Sequence, residues 1–496
     1  MQKNEKMKYK FTIAVLLLLF SSRIYAQDTV SIRLTEALIL SEKSIDVLLA
    51  KSELLTKYWE YRSFKADLLP EVGFEGILPN ITKSYKEIQK ADGSYTFVND
   101  DYSRISGNIY IEQNIPLTGA KLTIKSSIMK YNQLGSNAYT KYLNSPLTIN
   151  IEQPIVGFNK FKWLKKIEPL KYKEAKAKYA SSIEEAHLST IIYYFNLLKA
   201  QSNYDVAKQN YSNTKKLYKI AEARRKIGQI SDNDLLQLKV SLLKSESSMN
   251  EAQALYTASM FKLRSFLGFD QSIVLKTMMP IFNLNQLKIN FQEVLEFAKE
   301  NNMFTLNNQL KIIEASRDLS LAKANRANVS LFASIGFSGQ DTQLVDTYSN
   351  LMSNRTINIG IKVPIIDWGK RKGKVKLAES NLEFANIKVK RDEIDFSQNI
   401  YLLVDNYNRQ FNQLLISQET DAIAQTRYNT VIDAYMLGKI DILYLNDAQV
   451  TKDISRSNFI EQLYLLWQYY YQIRSITLYD FENKCKTITN FDGLNL

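Results

Sequence analysis

One cysteine and one histidine are all that this 496-residue chain has of the side chains that most often hold metals or form redox pairs. Cys485 alone permits no internal disulfide and has no paired base. His187, in the helical stretch SIEEAHLSTII, lacks the further ligands of a metal site and the partner of a catalytic dyad. No phosphate loop, zincin motif or nucleophile elbow occurs, so the sequence offers neither an enzyme site nor a cofactor site. A helix needs roughly 20 apolar residues to cross a bilayer. Beyond the N-terminus no run comes near that length, the nearest being LYLLWQYYYQI at 463–473, and any membrane crossing must be made by strands. The aromatic set in that run, Trp467, Tyr469, Tyr470 and Tyr471, reads as helix packing.

Residues 1–26 do carry a short apolar core, 11–20, behind Lys3, Lys6, Lys8 and Lys10, and end in Ile24-Tyr25-Ala26. This reads as a secretory signal peptide cut after Ala26, with everything from Gln27 exported. No cysteine stands at the cut, which argues against a lipid anchor. The formal charge is +13, of which 1–26 hold +4, leaving +9 on 27–496. That surplus reads as a solvated surface, and export makes nucleic acid an unsuitable partner.

One pattern occurs twice. YKIAEARRKIGQISDNDLL stands at 218–236 and YNTVIDAYMLGKIDILYLN at 428–446. In each, a helical stretch meets a glycine (Gly228, Gly438), then an isoleucine (Ile230, Ile440) and a capping residue (Ser231, Asp441) that opens a second helix. Pro154 and Pro364 end alternating strands, each at the same distance before its tip glycine, so the chain reads as an internal duplication of strand, long helix, tight tip and return helix.

In order, the pattern predicts helix from Ser31 to Leu69, ended by Pro70, and a strand through Val72, Phe74, Gly76 and Leu78. A polar loop at 79–103 and a hairpin (105–111 and 122–128 around 116–119) follow. A second polar loop at 131–145 precedes a strand at 147–151. A helix from Lys160 to Ile227, interrupted only by Pro169, would extend ~100 Å. The return helix ends at Gly268, and 269–290 is a linker. The second unit repeats this with a helix from Phe291, strands at 335–339 and 357–363, a long helix at 374–437 and a return helix at 442–481. Gly336 and Gly339 resemble part of a Gly-rich loop, but their alternating context makes them strand backbone. Lys370-Arg371-Lys372 is read as anchoring the start of the long helix near a membrane interface. The domains expected are 1–26 signal peptide, 27–268 first repeat, 269–290 linker, 291–482 second repeat and 483–496 tail.

Helices of this length cannot bury themselves in one copy, and a few strands cannot close a barrel alone in lipid. The expectation is a mixed α and β membrane protein, a homo-oligomer sharing one β-barrel and one helical barrel. The first unit is much longer from Gly73 to Pro154 than the second is from Gly336 to Pro364. The excess is read as an extra transmembrane hairpin giving six strands per copy; the alternative is an extracellular flap, with four.

The signal peptide, Asp67-Leu68-Leu69-Pro70, Gln153-Pro154, Val363-Pro364 and the two Gly-x-Ile tips, in this order and spacing, resemble the TolC-type outer-membrane efflux proteins over nearly all of the mature chain. The resemblance implies a homotrimer, with a β-barrel in outer-membrane lipid and an α-barrel tunnel through the periplasm. It implies tips docked on a periplasmic adaptor, an inner-membrane pump of the resistance-nodulation-division or ABC type, and no cofactor. It puts a gate link on Tyr435 and Asp234. A second link, falling on Ile440 and Asn233, looks lost. Asp447 matches one carboxylate position and Tyr444 replaces the other, so closure is expected to lean on one link and one acidic ring. The competing class, a non-conducting coiled-coil surface protein, would need neither the strands nor the tips.

Overall fold

Among the described residues the chain goes longest without glycine or proline at 170–226 and 374–436, and there it forms its longest helices. The computed structural model describes residues 29–135, 138–280, 288–362, 365–437 and 439–487. The stretch read as a signal peptide, Pro364, Gly438, part of the expected linker and most of the expected tail lie outside the described residues. The elements are β1 (Thr29–Ile32), α1 (Leu34–Ser41), α2 (Ile45–Ala66), β2 (Glu71–Thr82), β3 (Tyr85–Gln89), β4 (Tyr95–Asn99), β5 (Tyr102–Ile115), β6 (Ala120–Gln133), β7 (Tyr139–Val156), α3 (Lys160–Lys226) and α4 (Asp232–Leu267). They continue with β8 (Val274–Thr277), α5 (Phe291–Asn301), α6 (Met303–Ala324), β9 (Asn328–Asp341), β10 (Met352–Lys362), α7 (Lys370–Met436), α8 (Ile442–Thr477) and the short pair β11 (Tyr479–Asp480) and β12 (Cys485–Lys486). The long helices have 67 residues each and the return helices 36 each.

The chain divides into two units, one drawing on residues 52–177 and 303–396. It holds an antiparallel sheet of order β10-β9-β7-β6-β5-β2. Its register sorts the side chains by face, because neighbours directly across a ladder point the same way. One rung reads Val72, Ile111, Ile124, Ile149, Ile335, Arg355; the next reads Glu71, Glu112, Thr123, Asn150, Ser334, Thr356. One face is thus apolar and the other polar. The six strands include the extra hairpin β5–β6.

Two stretches expected as loops are ordered. Residues 85–99 form the β3–β4 hairpin, turned by Asp92, whose carboxylate accepts from the backbone and hydroxyl of Ser94, and by Gly93 at φ 82°. β6 and β7 reach Gln133 and Tyr139, where Tyr131 stacks on Tyr102 with ring centroids 5.2 Å apart. Tyrosine and threonine take the strand positions there, so an apolar alternation is absent although strand propensity is high.

The other unit, from 1–51, 178–302 and 397–491, is helical in its described part apart from two short strand pairs. Ser31 and Ile32, read as the start of a helix, instead belong to β1, which pairs in parallel with β8 from inside the expected linker. Tyr194 of α3, fully buried, ties this pair down: its hydroxyl lies 2.6 Å from the Met278 carbonyl and 3.0 Å from that of Ile32, and accepts from the Met278 N–H at 3.1 Å. Burial pushes the phenol up to about 12. Tyr194→Phe should cost about 1–2 kcal/mol. Unchanged denaturant unfolding of the purified variant would show that the hydroxyl holds nothing. α8 stops at Thr477 rather than near Phe481, because Leu478 turns left-handed at φ 51°.

Candidate functional site: the paired hairpin tips

At the first tip Gly228 takes φ 78°, and the N–H groups of Gly228 and Gln229 bond back to the carbonyls of Arg225 (3.0 Å) and Arg224 (2.9 Å). No atom lies within 4 Å of where a Cβ would sit, so glycine is required by backbone handedness and not by crowding. Ser231 caps α4: its hydroxyl accepts from the Asp234 N–H at 3.1 Å, while the Asp234 carboxylate accepts from the Ser231 hydroxyl (2.7 Å) and N–H (3.3 Å). Across the turn Arg225 grips Asp232 with two nitrogens, and that bond holds the exposed Asp232 carboxyl below its usual range. At the second tip Asp441 has extended cap backbone, but its side chain makes no capping bond, contrary to expectation.

The two tips pack on one another. Leu217 and Ala221 of α3, Leu238 of α4, Tyr428 of α7 and Ile442, Leu445 and Ala448 of α8 form one buried cluster, with Ile230 and Tyr435 against it. Each large aliphatic side chain in it contributes about 1.5–3 kcal/mol.

Polar ties cross between the repeats. Arg224 donates to the Met436 carbonyl at 2.9 Å, satisfying the C-terminal end of α7. Asn213 reaches the Tyr428 hydroxyl at 3.4 Å, and Asn210 donates to Asp453 at 2.7 Å. The buried Lys452 ammonium is 3.3 Å from the Asn210 oxygen, 3.2 Å from Asp453 and 4.2 Å from the centre of the Tyr428 ring.

No hydrogen bond joins Tyr435 to Asp234 among the described residues; the Asp234 carboxylate accepts from Ser231 instead. Tyr435 is half-buried; burial raises its phenol, with Asp234 and Asp441 adding and Arg224 opposing. Asn233 and Ile440, read as a lost arginine link, remain without one, while Arg224 supplies an arginine tie elsewhere. Asp447 and Tyr444 are exposed on α8, and Asp447 pairs with Arg427 of α7, which also reaches the Thr451 hydroxyl at 3.4 Å. Arg427 was legible in principle: it and Asp447 flank Gly438 at similar distances along the chain, so a hairpin brings them level.

The strand-to-helix junction at Pro154 sits opposite Ser330, where the ladder slips before Val156. Asn159 caps α3, accepting from the Lys162 N–H at 3.0 Å and donating to the Pro116 carbonyl at 2.9 Å. Elsewhere His187 lies buried, 3.4 Å from Glu184 and 3.5 Å from Glu42, and Arg474 donates to Glu184 and Asp480 at 3.0 Å each over the Tyr471 ring. Tyr470 donates to Asp480 at 2.8 Å, so part of the aromatic set packs around a charge cluster. Among the described residues no three His, Cys, Asp or Glu side chains are placed to hold a metal ion.

The family model described as Outer membrane efflux protein matches residues 114–269 and 302–479, two thirds of the chain in two blocks. The chain belongs to this family. Its fold is shared with the Campylobacter jejuni CmeC outer membrane channel (15% identity, 93% of this chain and 88% of that one, TM-score 0.64). It is shared also with the open state of the Neisseria gonorrhoeae MtrE outer membrane channel (13%, 90% and 89%, 0.61) and with the Vibrio cholerae outer membrane protein VceC (13%, 90% and 95%, 0.60). No curated protein sequence gives a significant match. As an outer membrane efflux protein the chain serves efflux at the outer membrane.

Proposed function

We propose that three copies of this efflux protein close one 18-stranded barrel and one helical tunnel, and that the tips meet a periplasmic adaptor carrying substrate from an inner-membrane pump of the resistance-nodulation-division or ABC type. The observation that carries the barrel is the sheet: six strands with one apolar and one polar face, ended by β2 and β10. Those edges would leave unpaired backbone groups in lipid unless β10 of one copy meets β2 of the next. The two matched blocks and the equal helix lengths support a duplicated chain with domains 27–268 and 291–482. The test is cross-linking of single cysteines in β2 and β10 in a Cys485→Ser background, with mass measurement in detergent. Trimers joined edge to edge are expected; monomers alone would refute the assembly.

The gate role of Asp447, Tyr444, Tyr435 and Asp234 rests on their nearness to the tips and on the cross-repeat ties beside them. In this reading Arg427 offsets the Asp447 charge. Arg427→Ala should strengthen cation preference and block by multivalent cations, and Asp447→Ala should weaken both, because like charges near one axis attract counter-ions. Single-channel recordings in which both variants keep the parent selectivity would remove Asp447 from the gate.

A further inference from the structure

The helices leave the sheet at one end, and that end holds more net positive charge than the rest of residues 27–496 together. The register puts Glu71, Val156, Asn328 and Lys362 there, so all four crossings between helix and strand lie on one rim. Residues 157–166, 319–328 and 365–376 at three of them carry ten net positive charges, against nine for all of 27–496; the fourth crossing, 62–71, is neutral. Some of this charge is used within the protein. Arg371 donates to the Arg326 carbonyl at 2.7 Å, Lys376 pairs with Glu379 at 2.9 Å, and Lys166 lies over the Trp163 ring. Lys160, Lys162, Lys165, Lys370, Lys372 and Lys374 are exposed, with no carboxylate partner among the described residues.

This charge opposes the local electrostatics. A helix N-terminus carries partial positive charge and favours acidic side chains, yet the first turns of α3 and α7 have no acidic residue and crowd lysines there. α4, by contrast, has Asp232 and Asp234 in its first turn, and α5 has Glu293. At α7 Asp367 already accepts from the Arg371 N–H at 3.1 Å and the Gly369 N–H at 3.0 Å, so it is the remaining ammonium groups, and the dipole of α3, that an external anion would relieve. Beside the lysines, apolar side chains stand in the open: Ile365 is 97% exposed, Trp368 95% and Leu117 88%. A free anion has no use for them, whereas a lipid offers a headgroup to the lysines and hydrocarbon to the tryptophan and isoleucine.

We propose that this rim binds the headgroups of anionic phospholipids in the leaflet from which the helices emerge. The inference rests on the reading of the sheet as a membrane barrel. The experiment uses the full chain, purified and reconstituted in phosphatidylcholine vesicles with and without phosphatidylglycerol, with retained lipid measured after re-extraction. A variant carrying Lys162→Gln, Lys165→Gln, Lys370→Gln and Lys372→Gln should retain phosphatidylglycerol at least roughly tenfold less well than the parent while its phosphatidylcholine is unchanged. A charge-matched control, Lys83→Gln, Lys86→Gln, Lys90→Gln and Lys141→Gln at the other end of the strands, should behave as the parent. Equal loss from both variants, or no loss from the first, overturns the proposal. So does displacement of phosphatidylglycerol by millimolar inorganic phosphate, which would mark a free-anion site. Conductance recorded in the same phosphatidylcholine vesicles separates the two readings, since a protein that fails to conduct there fails as a channel whatever lipid it retains.

Discussion

Arg474→Leu is expected to destabilise the helical unit by about 3–5 kcal/mol, the cost of removing one member of a buried charge cluster and leaving the others unpaired. Arg474 bonds both Glu184, which is 2% exposed at its side chain, and Asp480, at 9%. The Glu184 carboxyl is held below its ordinary 4.5: burial pushes it up, but the bond from His187 and the charge of Arg474 outweigh burial. Asp480 is likewise held below 3.8, with burial opposed by bonds from Asn483 and Tyr470 and by Arg474. Both carboxylates therefore contribute stability that is fully present above about 4.5 and lost as pH falls through their lower folded values. In the variant the charge that depresses them is gone, burial acts with less opposition, and protonation relieves the defect. The gap between parent and variant should be largest at neutral pH and narrow on acidification below about pH 5. Denaturant unfolding across that range checks both size and direction; a gap constant with pH would mean that packing, not charge, is what Arg474 supplies.

Gly228→Trp is expected to abolish export while the protein still reaches the membrane. A non-glycine residue at φ 78° costs about 1–2 kcal/mol, small against the packing of the tip cluster, so the hairpin should still form. The position a Cβ would take at Gly228 is open within the chain. What the indole would block is close approach of an adaptor helix from outside. Substrate accumulation in cells, beside the amount of trimer in the outer membrane, measures the two effects separately. Normal export from this variant would place docking elsewhere.

Periodicity made α3 legible almost to the residue, because a stretch as long as 170–226 without glycine or proline leaves few alternatives, whereas 31–69, read as one helix, divides into α1 and α2, and α7 starts at Lys370, four residues before its expected start. The apolar strands were legible for the same reason, their alternation being set by the lipid-like face. β1 and β8 were not, since each is only a short stretch, they stand far apart in the chain, and neither signals its partner. At the tips, glycine and cap positions were readable at Gly228 and Ser231, where a backbone rule applies locally. The partners of Asp234 and Asp447 were not, because a carboxylate takes whichever donor the fold brings near, and here those were Ser231 and Arg427. The resemblance implies a bond between Tyr435 and Asp234, and in this chain the Asp234 carboxylate accepts from Ser231.

The matched lengths of the helices, 67 and 67, then 36 and 36, constrain how this gene can change. One codon inserted into α3 alone would advance its tip by ~1.5 Å and rotate it by ~100°, turning Leu217 and Ala221 away from Leu445 and Ala448. One insertion in each arm of a hairpin keeps the tip closed but still slides it past the other. Only a change made in both halves, or one close to a whole number of turns, keeps the two faces opposed. The duplicates are free to drift in composition and bound together in length, so surviving insertions and deletions in related genes should be paired across the two halves or confined to the strand loops.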